Sequence, residues 1–214
     1  MPDRQRVINR LISAEGRTYA QDAGIRMADK PQPLYRMLVL SLLLSARIRA
    51  SVAVAASRAL HDAGMSGPRR MLEATWQQRV DALGEGGYRR YDERTATQLG
   101  EGARLVLDEW HGDLRRVREA ADGDVAELRR LLRRVPGIGP TGADIFLREV
   151  QGVWPEVAPY LDVKALDGAR RLGLPDRKDA LVRLGGRRHP EVLAAALVRA
   201  ALDRRVAEEC LEPA

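Results

Sequence analysis

Cysteine and histidine are both scarce in this chain of 214 residues, and their scarcity excludes several kinds of chemistry. The single cysteine, Cys210, cannot form a disulfide framework, a cysteine zinc site or an iron-sulfur cluster, and it is typical of a reducing compartment. The three histidines, His61, His111 and His189, have no second ligand at metal spacing. The chain has no Gly-x-Ser-x-Gly or Gly-x-x-x-x-Gly-Lys stretch, which excludes serine esterase and P-loop chemistry.

Long apolar runs are absent as well. The most apolar stretch, MLVLSLLL at residues 37–44, is far shorter than the roughly 20 residues that a membrane-spanning helix requires. The opening residues, MPDRQRVINRLISAEGR, carry too many charges for a signal peptide. We therefore expect a cytoplasmic protein with no membrane partner.

The charge balance is basic and the apolar content is ordinary. Lysine and arginine number 36 against 30 aspartate and glutamate, which gives a net charge of +6 and a pI near 10.0. This excess fits a polyanionic partner such as nucleic acid, and it fits a merely soluble basic surface equally well. With 45% apolar residues, the chain can form one domain or two small lobes around a real core.

The rest of the sequence is a succession of helical patterns separated by glycine and proline. Residues 34–46 are apolar on nearly every side, which predicts a central core helix. A long closing helix is predicted to begin at Pro190. No convincing β alternation occurs, so the predicted fold class is all-α. Helical spacing of apolar residues predicts the remaining helices at about 52–60, 72–83, 95–110, 125–135, 163–172 and 176–184. The apolar faces predicted for two of them are Leu72, Trp76, Val80 and Leu83, and Thr95, Leu99, Val106 and Trp110.

The stretch VPGIGPTGADIFLREV at residues 135–150 places a tight turn between two of these helices. Gly137 and Gly139 can adopt a positive φ and expose the backbone, while Pro140 begins the next helix without losing a hydrogen-bond donor. Amide groups at a helix N-terminus, with no Cβ atoms in the way, favour a phosphate. An ordinary turn that only packs two helices is the alternative.

This stretch resembles the helix-hairpin-helix motif of the endonuclease III superfamily of DNA glycosylases. Three further stretches resemble the same family in colinear order: residues 33–60, residues 84–99, and WPEVAPYLDVKALDGARRLGL at 154–174. The resemblance implies a two-lobed all-α glycosylase fold. One lobe, residues 32–148, would be a six-helix bundle that carries the hairpin, and residues 1–31 plus 149–214 would form a composite helical lobe.

The resemblance also implies functional residues. Asp162 aligns with the catalytic aspartate, although an Asp at this position could simply cap the helix that follows. Arg47 stands where the family inserts a glutamine into DNA, and a phosphate-contacting or solvated role is equally open for it. Implied DNA contacts are Pro136, Gly137, Ile138, Gly139, Thr141, Arg47 and Arg49, and pocket candidates with surface or core roles still open are Ser41, Tyr160 and Arg148.

Departures from the family pattern narrow the expected chemistry. Thr141 replaces the hairpin lysine, so no Schiff base can form there, and Lys164 is a weak substitute because it follows Asp162 by two positions. Ser41 replaces the glutamate of the adenine-removing branch. The family's iron-sulfur cysteines are absent, and we expect no cofactor except Na⁺ or K⁺ on hairpin carbonyls, here those of Arg133, Val135 and Ile138.

The resemblance therefore implies a monomeric, monofunctional DNA glycosylase of base excision repair, of bacterial type and associated with the nucleoid, without AP lyase activity. It would flip a damaged or modified base out of DNA and hydrolyse its N-glycosidic bond. Two alternatives stay open. The protein could be a helix-hairpin-helix DNA-binding protein without catalysis, or an enzyme of the same fold that acts on a modified base outside repair.

Overall fold

The computed structural model describes residues 3–186 and 189–212, and every regular element among them is a helix. The all-α prediction is confirmed. None of these helices is both long enough and apolar enough to cross a bilayer. In chain order they are α1 (Arg4–Glu15), α2 (Tyr19–Asp22), α3 (Pro31–Leu44), α4 (Ala50–Asp62), α5 (Pro68–Glu73), α6 (Trp76–Glu85), α7 (Asp92–Trp110), α8 (Arg115–Ala120), α9 (Val125–Leu132), α10 (Pro140–Val150), a 3₁₀ helix (Pro155–Val157), α11 (Val163–Arg171), α12 (Lys178–Gly185), α13 (Pro190–Leu202) and α14 (Arg204–Leu211).

The chain divides into two compact units. The bundle unit is Ala20–Leu147, and the terminal unit joins Met1–Tyr19 to Arg148–Ala214. The predicted lobes divided the chain at 31/32 instead, but the segment before α3 is held by the bundle unit. Arg36 donates to the carbonyls of Gly24 and Ala23, and the guanidinium of Arg118 pairs with Asp29.

Between residues 31 and 150, all of which are described, the chain forms eight helices rather than the six predicted. The two additional helices are α5 and α8. Each has six residues, which is too short for the sequence to show a helical period. The predicted core helix is confirmed as α3, nine of whose side chains are buried. The predicted face of α7 is also confirmed, because Thr95, Leu99, Val106 and Trp110 are all buried.

The face predicted for residues 72–83 is right at Leu83, which is fully buried, and wrong at Trp76. Trp76 is 41% exposed, whereas Arg79 is buried and donates hydrogen bonds to the carbonyls of Ala96, Met71 and Ala74. A hydrophobicity pattern cannot identify an arginine as a core residue, because its burial depends on three carbonyl acceptors from elsewhere in the chain. Gly100 accommodates this guanidinium, since a Cβ at that position would lie 2.9 Å from Arg79 Nη2.

The terminal unit is built on α11, α13 and α1. Gly168 lets α11 and α13 pack backbone to backbone, because a Cβ at this position would lie 1.9 Å from the carbonyl oxygen of Leu197. From α1, the side chains of Val7, Ile8 and Leu11 complete the core. The predicted closing helix is interrupted at Asp203, which has extended backbone angles and caps α14 by accepting from Arg205 N–H.

Candidate functional site

The hairpin between α9 and α10 is anchored by two buried apolar side chains. Val135 and Ile138 are each 3% exposed, and Ile138 N–H donates to the Val135 carbonyl at 3.0 Å. Val135 packs close to α7, where a Cβ at Gly102 would lie 3.1 Å from its Cγ1. The intervening residues Pro136 and Gly137 are half-buried, whereas Gly139, Pro140 and Thr141 are exposed.

The two hairpin glycines serve different purposes. Gly137 has φ +87°, and a Cβ there would lie 2.8 Å from Leu42 Cδ1 and 3.0 Å from Gln98 Oε1. Glycine is therefore required at this position by the fold itself. Gly139 does not have a positive φ, contrary to the expectation, and a Cβ there would meet nothing within 4 Å. Its lack of a side chain leaves open space beside the helix N-terminus.

The amide groups of this turn are available to a ligand. Neither Gly137 N–H nor Gly139 N–H donates to any acceptor among residues 3–186 and 189–212. Pro140 is the first residue of α10, an 11-residue helix whose first turn has free N–H groups and the positive end of the dipole. The hairpin can therefore hold an anion through backbone donors alone.

The carbonyls expected to hold a monovalent cation belong to the same turn. The Val135 carbonyl already accepts one hydrogen bond from Ile138 N–H, which leaves it one lone pair for a cation. Oxygen ligands suit Na⁺ or K⁺, so the residues fit the group, and the site at Arg133, Val135 and Ile138 stays a prediction. No cluster of three or more His, Cys, Asp or Glu side chains suited to a metal occurs in the described part of the chain.

Arg47 and Arg49 lie in the turn between α3 and α4, also in the bundle unit. Both are exposed, and neither guanidinium has an ion-pair partner among the described residues. Arg47 and Gly137 line one surface cavity of about 420 Å³. The structure thus brings two of the predicted DNA contacts, which are 90 positions apart, to a common surface.

Asp162 is the cap of α11, in the terminal unit. Its Oδ1 accepts from Ala165 N–H at 3.2 Å, and both of its carboxylate oxygens lie 3.0 Å from Arg148 Nη1. The pair is largely buried, with side chains 9% and 11% exposed for Arg148 and Asp162 respectively. Asp162 therefore caps α11, and its catalytic role stays a prediction, because one carboxylate can accept a cap hydrogen bond and still present negative charge.

Gln151 organises the loop that leads to Asp162, and sequence reasoning missed it. Its side chain is 2% exposed, accepts from Tyr160 N–H at 2.7 Å, and donates to the carbonyls of Arg148 and Tyr160. Gln151 therefore joins the backbones on either side of the Arg148–Asp162 pair. The sequence does contain an indication of this role, because Gln151 is a single amide side chain between two apolar segments. A buried amide requires hydrogen-bond partners for both its oxygen and its nitrogen. The Lys178 Nζ atom lies 5.9 Å from the centroid of the Tyr160 ring.

Lys164 is turned toward another carboxylate. Its Nζ lies 3.5 Å from Asp167 Oδ2, and about half of its side chain is exposed. Asp167 is also bonded to Arg170, and this hydrogen bond holds the pKa of the Asp167 carboxyl below its ordinary value. Lys164 is thus a solvated surface cation, as expected for a residue two positions after Asp162 on a helix.

Ser41 does not line an open pocket. Its side chain has 0% exposure, and its hydroxyl donates to the Met37 carbonyl at 2.8 Å, one turn earlier in α3. The structure places it in the core instead, because a serine can satisfy its hydroxyl within its own helix.

Comparison with solved structures reveals a likeness in fold. The chain is similar to the structure of a trapped endonuclease III-DNA covalent intermediate, an estranged-adenine complex, with 15% identity and a TM-score of 0.51. The similarity covers 92% of this chain and 85% of that chain. No family model and no curated protein matches the sequence. The chain therefore has an all-α, endonuclease III-like fold.

Proposed function

We propose that this protein is a monofunctional DNA glycosylase that hydrolyses the N-glycosidic bond of a damaged or modified base. The observation that carries the proposal is the presence, in one chain of endonuclease III-like fold, of a hairpin with free amides and a fixed carboxylate at Asp162. DNA is the partner that fits the basic chain and the anion-binding turn. A monomer acting on DNA in the cytoplasm stays a prediction.

The hairpin supports the DNA-binding half of the proposal. Gly137 N–H and Gly139 N–H have no acceptor among the described residues, and the open space at Gly139 lets a phosphate approach the backbone. Contacts of this kind position a duplex without reading its sequence. Arg47 and Arg49 add two unpaired cations in the same unit.

Asp162 supports the chemical half. As the bond between C1′ and the base nitrogen breaks, positive charge develops on the sugar, and a fixed carboxylate stabilises that charge. The base leaves with the bonding electron pair and takes up a proton. The oxygen of a water molecule bonds to C1′, and one proton of that water is released. The Ala165 N–H donates to Oδ1 and holds the carboxylate at the N-terminus of α11, so little reorganisation is required.

The same ion pair favours a second function, DNA binding without catalysis. A guanidinium 3.0 Å from both carboxylate oxygens offsets much of the negative charge that a cationic sugar would require. For catalysis, Arg148 would have to leave the carboxylate partly free when DNA binds. The excision experiment separates the two functions.

The absence of a suitable lysine supports hydrolysis rather than lyase chemistry. Thr141 occupies the position of the hairpin lysine, and a hydroxyl cannot form the imine that β-elimination requires. Lys164 is engaged with Asp167 at 3.5 Å.

The direct test is a single-turnover excision assay on duplexes that contain uracil, hypoxanthine, alkylated purines or oxidised bases, each followed by alkali. We expect base release from at least one substrate and strand breaks only after alkali. Binding to every duplex with no release from any would establish the non-catalytic function instead.

A further inference from the structure

Arg148 contacts Asp162 through a single nitrogen atom. Its Nη1 lies 3.0 Å from both carboxylate oxygens, whereas its Nε and Nη2 donate to no acceptor among residues 3–186 and 189–212. Arginine and carboxylate side chains frequently meet through two parallel N–H···O bonds instead. The edge of the Arg148 guanidinium that is formed by Nε and Nη2 is therefore left without a partner.

Other arginines of the chain use this edge to bind their acidic partners. Arg115 donates to Asp113 from both Nε and Nη2, and Arg129 donates to Asp144 from the same two atoms. In Arg148 the edge is unused, although the side chain is only 9% exposed. A nearly buried cation with unused donors is unfavourable unless a ligand completes its hydrogen bonds.

The free edge can be reached from solvent. Among the described residues, the enclosed side-chain atoms that lack a hydrogen-bond partner are Arg36 Nε and Glu191 Oε2, and no atom of Arg148 is one of them. Val163 follows Asp162 directly, begins α11 and is 71% exposed. The surface beside the carboxylate is therefore uncovered on the side from which a ligand would approach.

The first turn of α11 favours negative charge at the same place. Val163 N–H and Lys164 N–H donate to no acceptor in the described part of the chain, and this nine-residue helix presents the positive end of its dipole there. A planar guanidinium edge matches the oxygens of a phosphate through two hydrogen bonds. Both features indicate an anionic ligand with paired oxygens.

From these contacts we infer that the free edge of Arg148 binds a backbone phosphate of DNA, next to the nucleotide whose C1′ faces Asp162. The two side chains are in direct contact, and sugar and phosphate are neighbours in a nucleotide chain in the same way. Arg148 is then a substrate-binding residue that places C1′ opposite the carboxylate. The inference rests on the proposed DNA binding and deepens it, but it does not depend on base excision.

A bound phosphate also changes the charge that Asp162 presents. Without DNA, the Arg148 guanidinium offsets much of the carboxylate charge. A phosphate on the Nε–Nη2 edge attracts part of the guanidinium charge, so Asp162 presents more negative charge to a cationic sugar. The carboxylate becomes effective only when the neighbouring phosphate is in place.

The test measures, by fluorescence anisotropy, binding to a duplex with one tetrahydrofuran residue, an analogue of the abasic sugar that has no base to release. In four further duplexes, a neutral methylphosphonate replaces one of the four phosphates nearest to that residue. We expect one replacement to weaken binding by the native protein on the order of tenfold, because a charge-assisted pair of hydrogen bonds is lost. Arg148→Met should weaken binding to the unmodified duplex by a similar factor, and the same replacement should then have no further effect.

Arg115→Met is the matched control. It removes the same charge and breaks an Arg–Asp pair, but the Nε–Nη2 edge of Arg115 is already occupied by Asp113. This variant should respond to each phosphate replacement as the native protein does. The slope of log affinity against log salt should fall by about one in Arg148→Met and stay native in Arg115→Met. If every replacement weakens binding by Arg148→Met as much as binding by the native protein, the inference is refuted.

Arg148→Lys separates the free edge from the ion pair. Lysine keeps the charge and one nitrogen that can contact Asp162, so its thermal melt should be closer to that of the native protein than the melt of Arg148→Met. It has no second nitrogen for a phosphate, and we expect it to lose most of the affinity that Arg148→Met loses. This variant tests the inference even if Arg148→Met does not fold. Native affinity with a native response to phosphate replacement would show that a point charge suffices and would overturn the role of the edge.

The excision assay distinguishes this inference from the proposed enzyme. Because the phosphate is bound both before and during bond cleavage, Arg148→Met should act mainly on the protein concentration that gives half the maximal rate, which should rise about tenfold, and far less on the rate at saturation. Excision by the native protein without any coupling between Arg148 and a phosphate would refute only this inference. Coupling without excision would refute only the proposed enzyme.

Discussion

Gly137 and Gly139 occupy one turn but are subject to different constraints, and the difference is measurable. Gly137→Ala should lower the free energy of unfolding by at least about 1 kcal/mol, because its φ of +87° and its contact with Leu42 both exclude a Cβ. Gly139→Ala should change it by no more than about 0.5 kcal/mol. Urea denaturation of the two variants checks this. Equal losses would mean that the turn is not held as described.

Lys164 and Thr141 predict the outcome of a trapping experiment. Borohydride should yield no covalent enzyme-DNA adduct, because Thr141 has no amine and Lys164 is bound to Asp167. Gel electrophoresis after reduction detects the adduct. An adduct that disappears in Lys164→Ala would show that this lysine acts as the nucleophile and would refute the monofunctional assignment.

At the scale of the element, the hairpin should control affinity for DNA. Gly139→Glu fills the open space with a carboxylate, so we expect it to weaken binding on the order of tenfold at low salt and to reduce the salt dependence. Gly67→Glu is a matched control, since Gly67 also precedes a helix and a Cβ there also meets nothing within 4 Å. Equal binding by the two variants in a salt titration would exclude the hairpin as the phosphate site.

Helices with a clean apolar stripe could be predicted from the sequence, and those with a polar residue in the core could not. The pattern of α7 predicted its buried face correctly because each buried position is apolar or a small threonine. The pattern at 72–83 predicted Leu83 correctly but missed Arg79, which is buried through the carbonyls of Met71, Ala74 and Ala96. Acceptors brought together by folding leave no local signal.

In the candidate site, too, some features could be predicted from the sequence and others could not. The glycine-proline order predicted the turn, and the Asp before an amphipathic segment predicted the cap of α11. The partner of Asp162 could not be predicted, because Arg148 is 14 positions away and its side chain could equally have reached solvent. Gln151 was missed since its partners are backbone groups of a loop.

At the scale of the whole molecule, the unit that holds Asp162 depends on both ends of the chain. Leu11 has 0% exposure within a core that also contains Leu161, Leu193 and Leu197. Leu11→Ala should therefore destabilise the terminal unit by about 2 to 5 kcal/mol. Hydrogen exchange should accelerate in peptides of residues 4–15 and 163–171 before those of α7. Uniform acceleration would show that the two units unfold together.

Because Arg148 and Asp162 form an ion pair, replacing either residue affects stability, and the two replacements must be compared with each other. Asp162→Asn keeps an oxygen that can cap α11 but leaves Arg148 buried without its partner, so stability should fall by about 3 to 5 kcal/mol. Arg148→Met breaks the same ion pair and keeps the carboxylate. The two variants therefore share a stability defect and differ in the charge that catalysis requires.

The measurement that tests the account most directly is the single-turnover excision rate of these two variants, below their melting temperatures, on a substrate that the native protein processes. We predict that Asp162→Asn loses roughly 100-fold or more while still binding DNA, and that Arg148→Met retains most of the native rate. Excision at the native rate by Asp162→Asn would contradict the account, because Asp162 would then be a helix cap and nothing more.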